Sequence, residues 1–513
     1  SYIYSTKIII SILLFSLFFG VFEFIRGSIL TRFPCNLISF SFSNSIYFIQ
    51  IISIIGTYSF NLICITLFTL PAVFVLKKSK KNIVFVSGFI LVTISFVIFG
   101  IYQIKEFNVL PSLKNAYSIK AISSNISLDR FYIEKNEQEI IDELIALSAP
   151  EKDKPTLFIW PEGIITDSDL EDIHVYKDLF INNFSEDDLV VMGLNSSKVI
   201  NNKNLIFNSM AIFNNRLELI HKYDKVNLVP FGEFVPFENI LSKIGFKTIT
   251  NAYQSYSSGK VRKPFNLKND KIDVNLLPLI CYEIIYSGKF SKEKNYDYII
   301  NISEDGWFGS SIGPKQHFAH SIFRSIESGK YIIRSANNGI SAVINPIGIA
   351  EKKIEFKKTG NIELIESKQL KSTIFMMYGN LIFVALFLVI IAVLFISIRS
   401  TVENLNFSSK QLEKAKSDYE YVFAKAELLS ITAISKSSNK EEIESFIDNL
   451  LPESISDLVI VEKDSSLIVS FKTNNLKESI SISDEIAFKL GRELNNISYS
   501  KNEQDSITKL VFN

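Results

Sequence analysis

The sequence predicts a membrane protein with transmembrane helices, a layered α/β domain and a small α+β domain at the carboxyl end. Four apolar stretches reach or approach about 20 residues, the length that crosses a bilayer. From residue 117 onward, short runs rich in Ile and Val alternate with helical patterns, which is typical of α/β layers. Beyond residue 400, alternating runs such as Leu458–Val461 indicate a further sheet.

The apolar stretches cover residues 7–24, 46–76, 83–103 and 374–398. Basic residues mark cytoplasmic ends of spans, and here they flank the second and fourth stretches. We therefore expect residues 105–372 to be extracytoplasmic. The domains predicted on this basis are transmembrane helices over 1–104, a large central domain over 105–372, a returning span over 373–399 and a cytoplasmic segment over 400–513. The basic residues are Lys77, Lys78, Lys80, Lys81 and Arg399.

Composition excludes several classes of function. Lys and Arg number 54, as do Asp and Glu, so no basic excess suggests a nucleic-acid partner. The chain has three cysteines, and no Cys/His group has metal-ligand spacing, so we expect neither a metal nor a cofactor. Cys281 is the one cysteine of the predicted central domain. A free thiol in an oxidising compartment favours a chemical role.

The predicted strands of the α/β domain place two reactive residues at strand ends. Glu162 and Cys281 each fall just after the carboxyl end of a strand, where α/β sites collect. The predicted strands are 118–124, 156–160, 188–194, 206–213, 274–281, 297–302 and 340–345, and the predicted helices are 131–148, 171–181 and 315–334.

Three segments place a carboxylate, an ammonium and a thiol beside apolar runs: 158–163, 221–226 and 277–283. A carboxylate near a thiol removes its proton, and a cation stabilises the charge that develops on an attacked carbonyl. Glu162, Lys225 and Cys281 are the candidates. Each also has a simpler interpretation: a helix N-terminal charge, a solvated lysine and a small buried side chain, respectively.

The text around these residues carries a resemblance that runs in order from about residue 20 to 350. The matching segments are Glu23-Phe-Ile-Arg26-Gly, Asn227-Leu-Val-Pro-Phe-Gly-Glu233-Phe-Val-Pro, Cys281-Tyr-Glu283, Asn301-Ile-Ser, Trp307-Phe-Gly309, Gln316-His-Phe and Arg334-Ser-Ala-Asn337-Asn338-Gly339-Ile. With them the chain resembles the carbon–nitrogen hydrolase (nitrilase) superfamily and, within it, the apolipoprotein N-acyltransferase family. The resemblance implies an αββα sandwich and a Glu162–Lys225–Cys281 triad.

The resemblance further implies a two-step acyl transfer in a bacterial inner membrane, with the catalytic domain on the periplasmic side. A membrane phospholipid would donate an acyl chain to Cys281, and the α-amine of a diacylglyceryl apolipoprotein would accept it. The segment 226–262 would be an aromatic lid, with Phe231, Phe234, Phe237, Phe246, Tyr253 and Tyr256. Supporting or substrate-binding roles would fall on Glu233, Glu283, Tyr282, Trp307, Asn337 and Asn338. Among them, Glu283 would orient Lys225 or take the proton of the incoming amine, and Glu233 would hydrogen-bond backbone near the site.

The chain departs from the family pattern in three places. Ser303-Glu304-Asp305-Gly306-Trp307 stands where the family usually has Asn-Asp-Ala-Trp, so we expect a local difference in the pocket. The family has a larger N-terminal bundle, so we expect truncation at the amino end. The family does not account for residues 400–513, for which we predict helices over 402–435, 441–451 and 480–494, and strands over 456–462, 466–472 and 507–512.

Two alternative functions share these observations. A membrane-tethered amidase or nitrilase would use the same triad but accept water in place of an amine. An inactive membrane scaffold would predict a broken triad, whereas all three residue types are present. The spans, the segment from Glu23 to Gly27 and the aromatic lid favour the transferase. For residues 400–513 we hypothesise a binding or regulatory role.

Overall fold

The structure is a computed structural model of the 513-residue chain. It describes residues 2–29, 33–76, 79–132, 136–200, 202–236, 255–291, 293–431, 441, 445, 456–463, 466–490, 492, 494–501 and 506–512. Two compact units divide the chain, Ser1–Phe395 and Ile396–Asn513.

The helices and strands follow one another in chain order. The helices are α1 (Tyr2–Arg26), α2 (Ile46–Ile49), α3 (Ile52–Leu76), α4 (Lys80–Val109), α5 (Glu137–Ser148), α6 (Lys177–Asn183), α7 (Gly313–Ser328), α8 (Ile374–Tyr378), α9 (Leu381–Ile431) and α10 (Leu476–Leu490). The strands are β1 (Leu113–Ser123), β2 (Thr156–Ile159), β3 (Leu189–Ile200), β4 (Lys203–Asn214), β5 (Leu219–Asp224), β6 (Phe265–Lys268), β7 (Asp273–Ile280), β8 (Tyr298–Glu304), β9 (Tyr331–Asn337), β10 (Ser341–Ile344), β11 (Ala350–Ile354), β12 (Gly360–Ser367), β13 (Ser456–Lys463), β14 (Ser466–Lys472), β15 (Leu494–Lys501) and β16 (Ser506–Phe512).

Within the described residues, four helices are long and apolar enough to cross a membrane: Ile8–Arg26, Ile52–Leu76, Lys80–Val109 and Leu381–Ala426. Each of them overlaps one of the four apolar stretches of the sequence. Helices α1, α3 and α9 pack together through side chains such as Leu17, Leu62 and Phe383. The chain is therefore a membrane protein.

Two six-stranded sheets form the α/β domain, with orders β12-β1-β2-β3-β4-β5 and β11-β10-β9-β8-β7-β6. One apolar core joins the sheets face to face, with Ile119 and Leu157 from the first and Leu276 and Ile300 from the second. Helices α5 and α6 cover the outer face of the first sheet, and α7 covers that of the second. These layers confirm the predicted αββα sandwich.

Parallel strand pairing determines where the candidate site residues leave the sheets. Strands β1, β2 and β3 are parallel to one another, as are β7, β8 and β9. Their central residues are buried on both faces, which explains the continuous apolar runs in the sequence. The residues that follow β2 and β7 therefore leave the sheets at carboxyl ends, where sites of α/β proteins tend to lie.

The second unit contains a four-stranded antiparallel sheet of order β13-β14-β16-β15, with α10 packed on one face. The strands predicted over 456–462, 466–472 and 507–512 match β13, β14 and β16, and the helix predicted over 480–494 overlaps α10. The helix predicted over 402–435 is, as far as Ile431, the continuation of the fourth span in α9, and residues 432–435 lie outside the described residues. The helix predicted over 441–451 lies almost entirely outside the described residues.

Two sequence predictions in the α/β domain need correction. The helix predicted over 315–334 ends at Ser328, because Gly329 adopts a left-handed φ of 65° and the buried run from Tyr331 forms β9. Strands β5, β6, β11 and β12 were not predicted. They lie towards the sheet edges, where polar residues interrupt the apolar pattern.

Candidate active site

Cys281 occupies a strained turn at the carboxyl end of β7. The strand ends at Ile280, and residues 281–285, here called the Cys281 turn, form a 3-10 helix. Cys281 has a φ of 48°, in the left-handed region that a residue with a Cβ seldom adopts. Such a conformation costs about 1–3 kcal/mol and persists only where the surroundings hold it.

Glu162 follows β2 and lies against the next strand. A Cβ at Gly193 of β3 would lie 2.6 Å from the Glu162 Cα, so only glycine lets the strand pass this close. The Glu162 Oε1 accepts hydrogen bonds from Lys225 Nζ at 3.1 Å and Asn208 Nδ2 at 2.8 Å. The backbone N–H of Glu304 donates to its Oε2 at 2.9 Å. The carboxylate is thus held in one orientation.

Lys225 follows β5 and lies between two carboxylates. Its Nζ is 3.1 Å from Glu162 Oε1 and 2.9 Å from Glu233 Oε1, and the residue is 1% exposed. Burial alone would lower the pKa of Lys225, but Glu162 and Glu233 outweigh burial and raise the pKa well above its usual value. The side chain is therefore an ammonium ion at neutral pH.

The Cys281 thiol lies within electrostatic reach of both groups. Removal from water and the nearby Glu162 charge raise the pKa of the thiol well above its usual value, and Lys225 opposes them only in part. The thiol is thus protonated in the resting protein. A base that acts during attack is needed to make it a nucleophile.

Glu233 is part of the same cluster. Its Oε1 accepts hydrogen bonds from Lys225 and, at 2.8 Å, from Asn208 Nδ2. Its Oε2 accepts the Val229 backbone N–H at 2.8 Å. This hydrogen bond holds the turn from Val229 to Glu233. Asn208, in the middle of β4, bridges Glu162 and Glu233. Sequence reasoning missed it, because no motif surrounds it.

Glu283 has a different position from Glu233. Its carboxylate accepts the backbone N–H groups of Val226 at 2.9 Å, Asn227 at 3.0 Å and Ile280 at 2.9 Å. It also accepts hydrogen bonds from Arg262 at 2.6 Å and the Tyr223 hydroxyl at 2.8 Å. Within the described residues, Glu283 therefore binds the backbone beside Lys225 rather than the ammonium group.

A buried polar cluster lies behind the Cys281 turn. Asp305 accepts hydrogen bonds from Arg334 at 2.8 and 3.0 Å and from Ser303 at 2.8 Å, and it is 2.8 Å from His317 Nδ1. The other ring nitrogen of His317 is 3.2 Å from the Cys281 carbonyl oxygen. Burial raises the pKa of Asp305, but Arg334 and His317 outweigh burial and lower the pKa below its usual range. The sequence predicted no role for Asp305, Arg334 or His317.

Asn337 and Asn338 bind the chain at residues 124–126. Asn337 accepts hydrogen bonds from the Ser124 hydroxyl and the Ile126 N–H, and it donates to the Ile126 carbonyl and to Glu304. Asn338 donates to the Ile126 carbonyl at 2.7 Å. The protein uses all four hydrogen-bonding positions of Asn337, so this residue supports the fold of the site.

The two predicted pocket aromatics face different surroundings. Tyr282 is buried, stacks on Phe33 of the loop after α1 at 6.1 Å and meets Tyr286 edge-on at 5.5 Å. Trp307 is 40% exposed and contacts Phe131 at 5.2 Å. Trp307 is thus open to a ligand, whereas Tyr282 joins the turn to the membrane-side loop.

Part of the predicted aromatic lid lies within the described residues. Phe237, Phe246 and Tyr253 lie outside the described residues. Tyr256 donates a hydrogen bond to Asn195 at 3.0 Å, which packs it against the first sheet. Within the described residues, no group of three or more His, Cys, Asp or Glu could hold a metal ion.

Comparison with known proteins shows the family of this chain. Residues 141–364 match the model for carbon-nitrogen hydrolase, and residues 1–70 match the model for the apolipoprotein N-acyltransferase N-terminal domain. The apolipoprotein N-acyltransferase of Rickettsia prowazekii is 33% identical over 378 residues, which are 72% of this chain and 73% of the relative. The chain belongs to the apolipoprotein N-acyltransferase family. It is an acyltransferase.

Two further relatives agree with the family assignment. The apolipoprotein N-acyltransferase of Rickettsia typhi is 33% identical over 380 residues, with 72% of this chain and 73% of the relative covered. That of Agrobacterium fabrum is 30% identical over 363 residues, with 67% and 65% covered. A solved amidase of the nitrilase superfamily from Nesterenkonia AN1 is 12% identical, with a TM-score of 0.35, and 51% of this chain and 93% of the amidase are covered.

Proposed function

We propose that this chain transfers an acyl chain from a membrane phospholipid, through a thioester on Cys281, to the N-terminal α-amine of a diacylglyceryl apolipoprotein. One observation carries the proposal. Lys225 lies 3.1 Å from Glu162, and both charges act on the thiol of Cys281. The arrangement combines a base, a cation and a nucleophile in a chain that also has membrane-spanning helices.

The first half-reaction forms the thioester. Glu162 takes the proton of the Cys281 thiol while the sulfur attacks the ester carbonyl carbon of the phospholipid. Lys225 stabilises the resulting oxyanion, and one such donor contributes roughly 100- to 1000-fold in rate. The tetrahedral species then expels the glycerol oxygen, which receives the proton from Glu162. The products are a lysophospholipid and an acylated Cys281.

The second half-reaction returns the thiol. The α-amine of the apolipoprotein attacks the thioester carbonyl carbon, and Glu162 accepts a proton from the attacking nitrogen. The carbon–sulfur bond breaks, and the leaving sulfur takes the proton back. The product is an amide. The raised pKa of the Cys281 thiol fits this scheme, because the free thiol holds its proton until Glu162 removes it during attack.

The location and orientation in the membrane belong to the same proposal. We place the chain in the inner membrane, with residues 105–372 on the periplasmic face, as the basic residues around the spans indicate. Trp307 and the described part of the segment 226–262 would then meet the lipid and the apolipoprotein. Within that segment Phe231 has a φ of 62°, so the loop turns sharply before Glu233.

The test is a reconstitution with a phospholipid carrying a labelled acyl chain and a diacylglyceryl-Cys peptide with a free amino terminus. We expect label on the peptide as an acid-stable amide, together with one lysophospholipid for each peptide acylated. Label released as free fatty acid, with unmodified peptide, would instead identify a hydrolase. Cys281→Ala is the control, and it should give neither product.

A further inference from the structure

Helix α3 is interrupted near the periplasmic end that we propose for it. Gly56 has a φ of 74° and a ψ of 170°, which no helix contains. A Cβ at this position would lie 2.0 Å from the Phe375 ring, so the residue must be glycine. The break makes Thr57 the start of a new helical segment, where backbone N–H groups lack acceptors within the helix.

Glu327 of α7 supplies the missing acceptor. Its Oε1 accepts the Thr57 backbone N–H at 2.8 Å, the Thr57 hydroxyl at 2.6 Å and the Ser287 hydroxyl at 2.6 Å. Its Oε2 is 2.8 Å from the Nε of Arg324. All these groups are buried. A side chain of the catalytic domain therefore holds the break in a membrane helix.

Arg324 extends this contact to the Cys281 turn. Its Nη1 donates to the carbonyl of Ile285, the last residue of the turn, at 3.1 Å. Its Nη2 donates to the Thr57 hydroxyl. The Thr57 hydroxyl thus accepts from Arg324 and donates to Glu327 at once, which an aliphatic side chain cannot do. At the other end of the turn, Glu283 holds the N–H of Ile280.

We infer that Thr57, Glu327 and Arg324 form a positioning bridge that holds the Cys281 turn in its strained conformation from the broken membrane helix. This inference rests on the proposed function of Cys281. The three residues do not touch the reacting atoms and act through the backbone of the turn. A displacement of about 1 Å at a nucleophile can lower a rate by roughly 100-fold.

The test compares three variants of the full chain. Thr57→Val removes the bridging hydroxyl at nearly constant volume, and Thr57→Ser keeps it. Thr66→Val is the matched control, because Thr66 is buried on the same helix and its hydroxyl donates to the Leu62 carbonyl of that helix, at 3.0 Å. Two rates are measured: thioester formation on Cys281, and alkylation of Cys281 by iodoacetamide between pH 6 and 10, followed by peptide mapping.

We expect Thr57→Val to slow thioester formation about 10- to 100-fold, with Thr57→Ser and Thr66→Val within about threefold of wild type. The pH profile of Cys281 alkylation should shift in Thr57→Val alone, because the distance of the thiol from Glu162 and Lys225 changes. Equal rates and profiles for Thr57→Val and Thr66→Val would overturn the inference. A lower yield of folded protein with normal rates per folded molecule would also overturn it, as a purely structural role.

Failure of the inference can be separated from failure of the proposed function. If wild type forms no thioester, the proposed function fails, but the alkylation profiles still report whether Thr57 positions the thiol. If Thr57→Val does not fold, Ser287→Ala replaces it, since this variant removes one donor to Glu327 and keeps Thr57. The same comparison with Thr66→Val then decides the outcome.

Discussion

The carboxylate of Glu283 accepts the backbone N–H of Val226 at 2.9 Å, so the turn that begins at Cys281 is tied directly to the residue after Lys225. The two segments follow strands of different sheets, β7 and β5. The carboxylate of Glu283, which joins the two segments, is neutralised by a buried ion pair with Arg262. Glu283 thus sets the relative positions of the proposed nucleophile and the proposed cation.

Loss of the thiol should abolish turnover and leave the fold intact. Cys281→Ala removes the only atom proposed to carry the acyl chain, and Cys281→Ser retains little activity because a hydroxyl gives up its proton less readily. Acyl transfer to the lipopeptide and the thermal unfolding midpoint would be measured together. Cys64→Ala is the matched control. It removes a buried thiol of α3, more than 200 residues before Cys281, and should keep its activity.

Glu162→Gln should change two properties of Cys281 in opposite directions. The Glu162 charge raises the pKa of the thiol, so its removal lowers that pKa and speeds alkylation by iodoacetamide at pH 8. Acyl transfer falls by roughly 100-fold or more, because the general base is lost. Exposed Glu171 provides the control, Glu171→Gln. Slower alkylation in Glu162→Gln would contradict the assigned geometry.

Lys225→Met should slow both reactions. The ammonium lowers the pKa of Cys281, so without it the thiol holds its proton to higher pH and alkylation at pH 8 slows. Acyl transfer loses its oxyanion donor and falls roughly 100- to 1000-fold. Lys222→Met, three residues earlier on β5, removes a partly exposed ammonium and should be nearly silent. A normal transfer rate in Lys225→Met would refute the proposed role.

Glu283→Gln should mainly destabilise the protein. The change leaves the buried guanidinium of Arg262 without its charged partner, which costs about 3–5 kcal/mol. The unfolding midpoint should therefore fall, and activity should fall with it as the segments separate. Exposed Glu218 gives the comparison, since Glu218→Gln should change stability by at most about 0.5 kcal/mol. An unchanged midpoint in Glu283→Gln would show that the tie is dispensable.

The sequence predicted α/β layers and the residues at the strand ends because periodicity and strand direction are local properties, whereas the sandwich of two sheets came from the family resemblance. Glu162 and Cys281 could be placed together since both follow parallel strands. The prediction that Glu283 orients Lys225 was wrong, because the ammonium group contacts Glu233 instead, at 2.9 Å. The prediction that Glu233 hydrogen-bonds backbone near the site is confirmed by the N–H of Val229. Only the folded chain shows that Glu233 contacts Lys225 directly and that Glu283 binds backbone.

Other features arise only from contacts between segments distant in sequence. The left-handed φ of Cys281 has no signature in the residues Leu-Ile-Cys-Tyr. Asn208 lies 46 positions from Glu162, and Glu327 lies 270 positions from Thr57. The domain boundaries and the binding or regulatory role of residues 400–513 stay predictions. A cavity of about 520 Å³ between α9, α10 and β15, lined by Tyr419, Phe423 and Tyr499, is where that role would first be sought.

The intact mass of the purified protein after incubation with phosphatidylethanolamine tests the central claim most directly. The account predicts a gain of one acyl chain that hydroxylamine removes, that maps to Cys281 and that Cys281→Ala lacks. An acyl adduct that survives hydroxylamine, or one that persists in Cys281→Ala, would contradict a thioester on this residue.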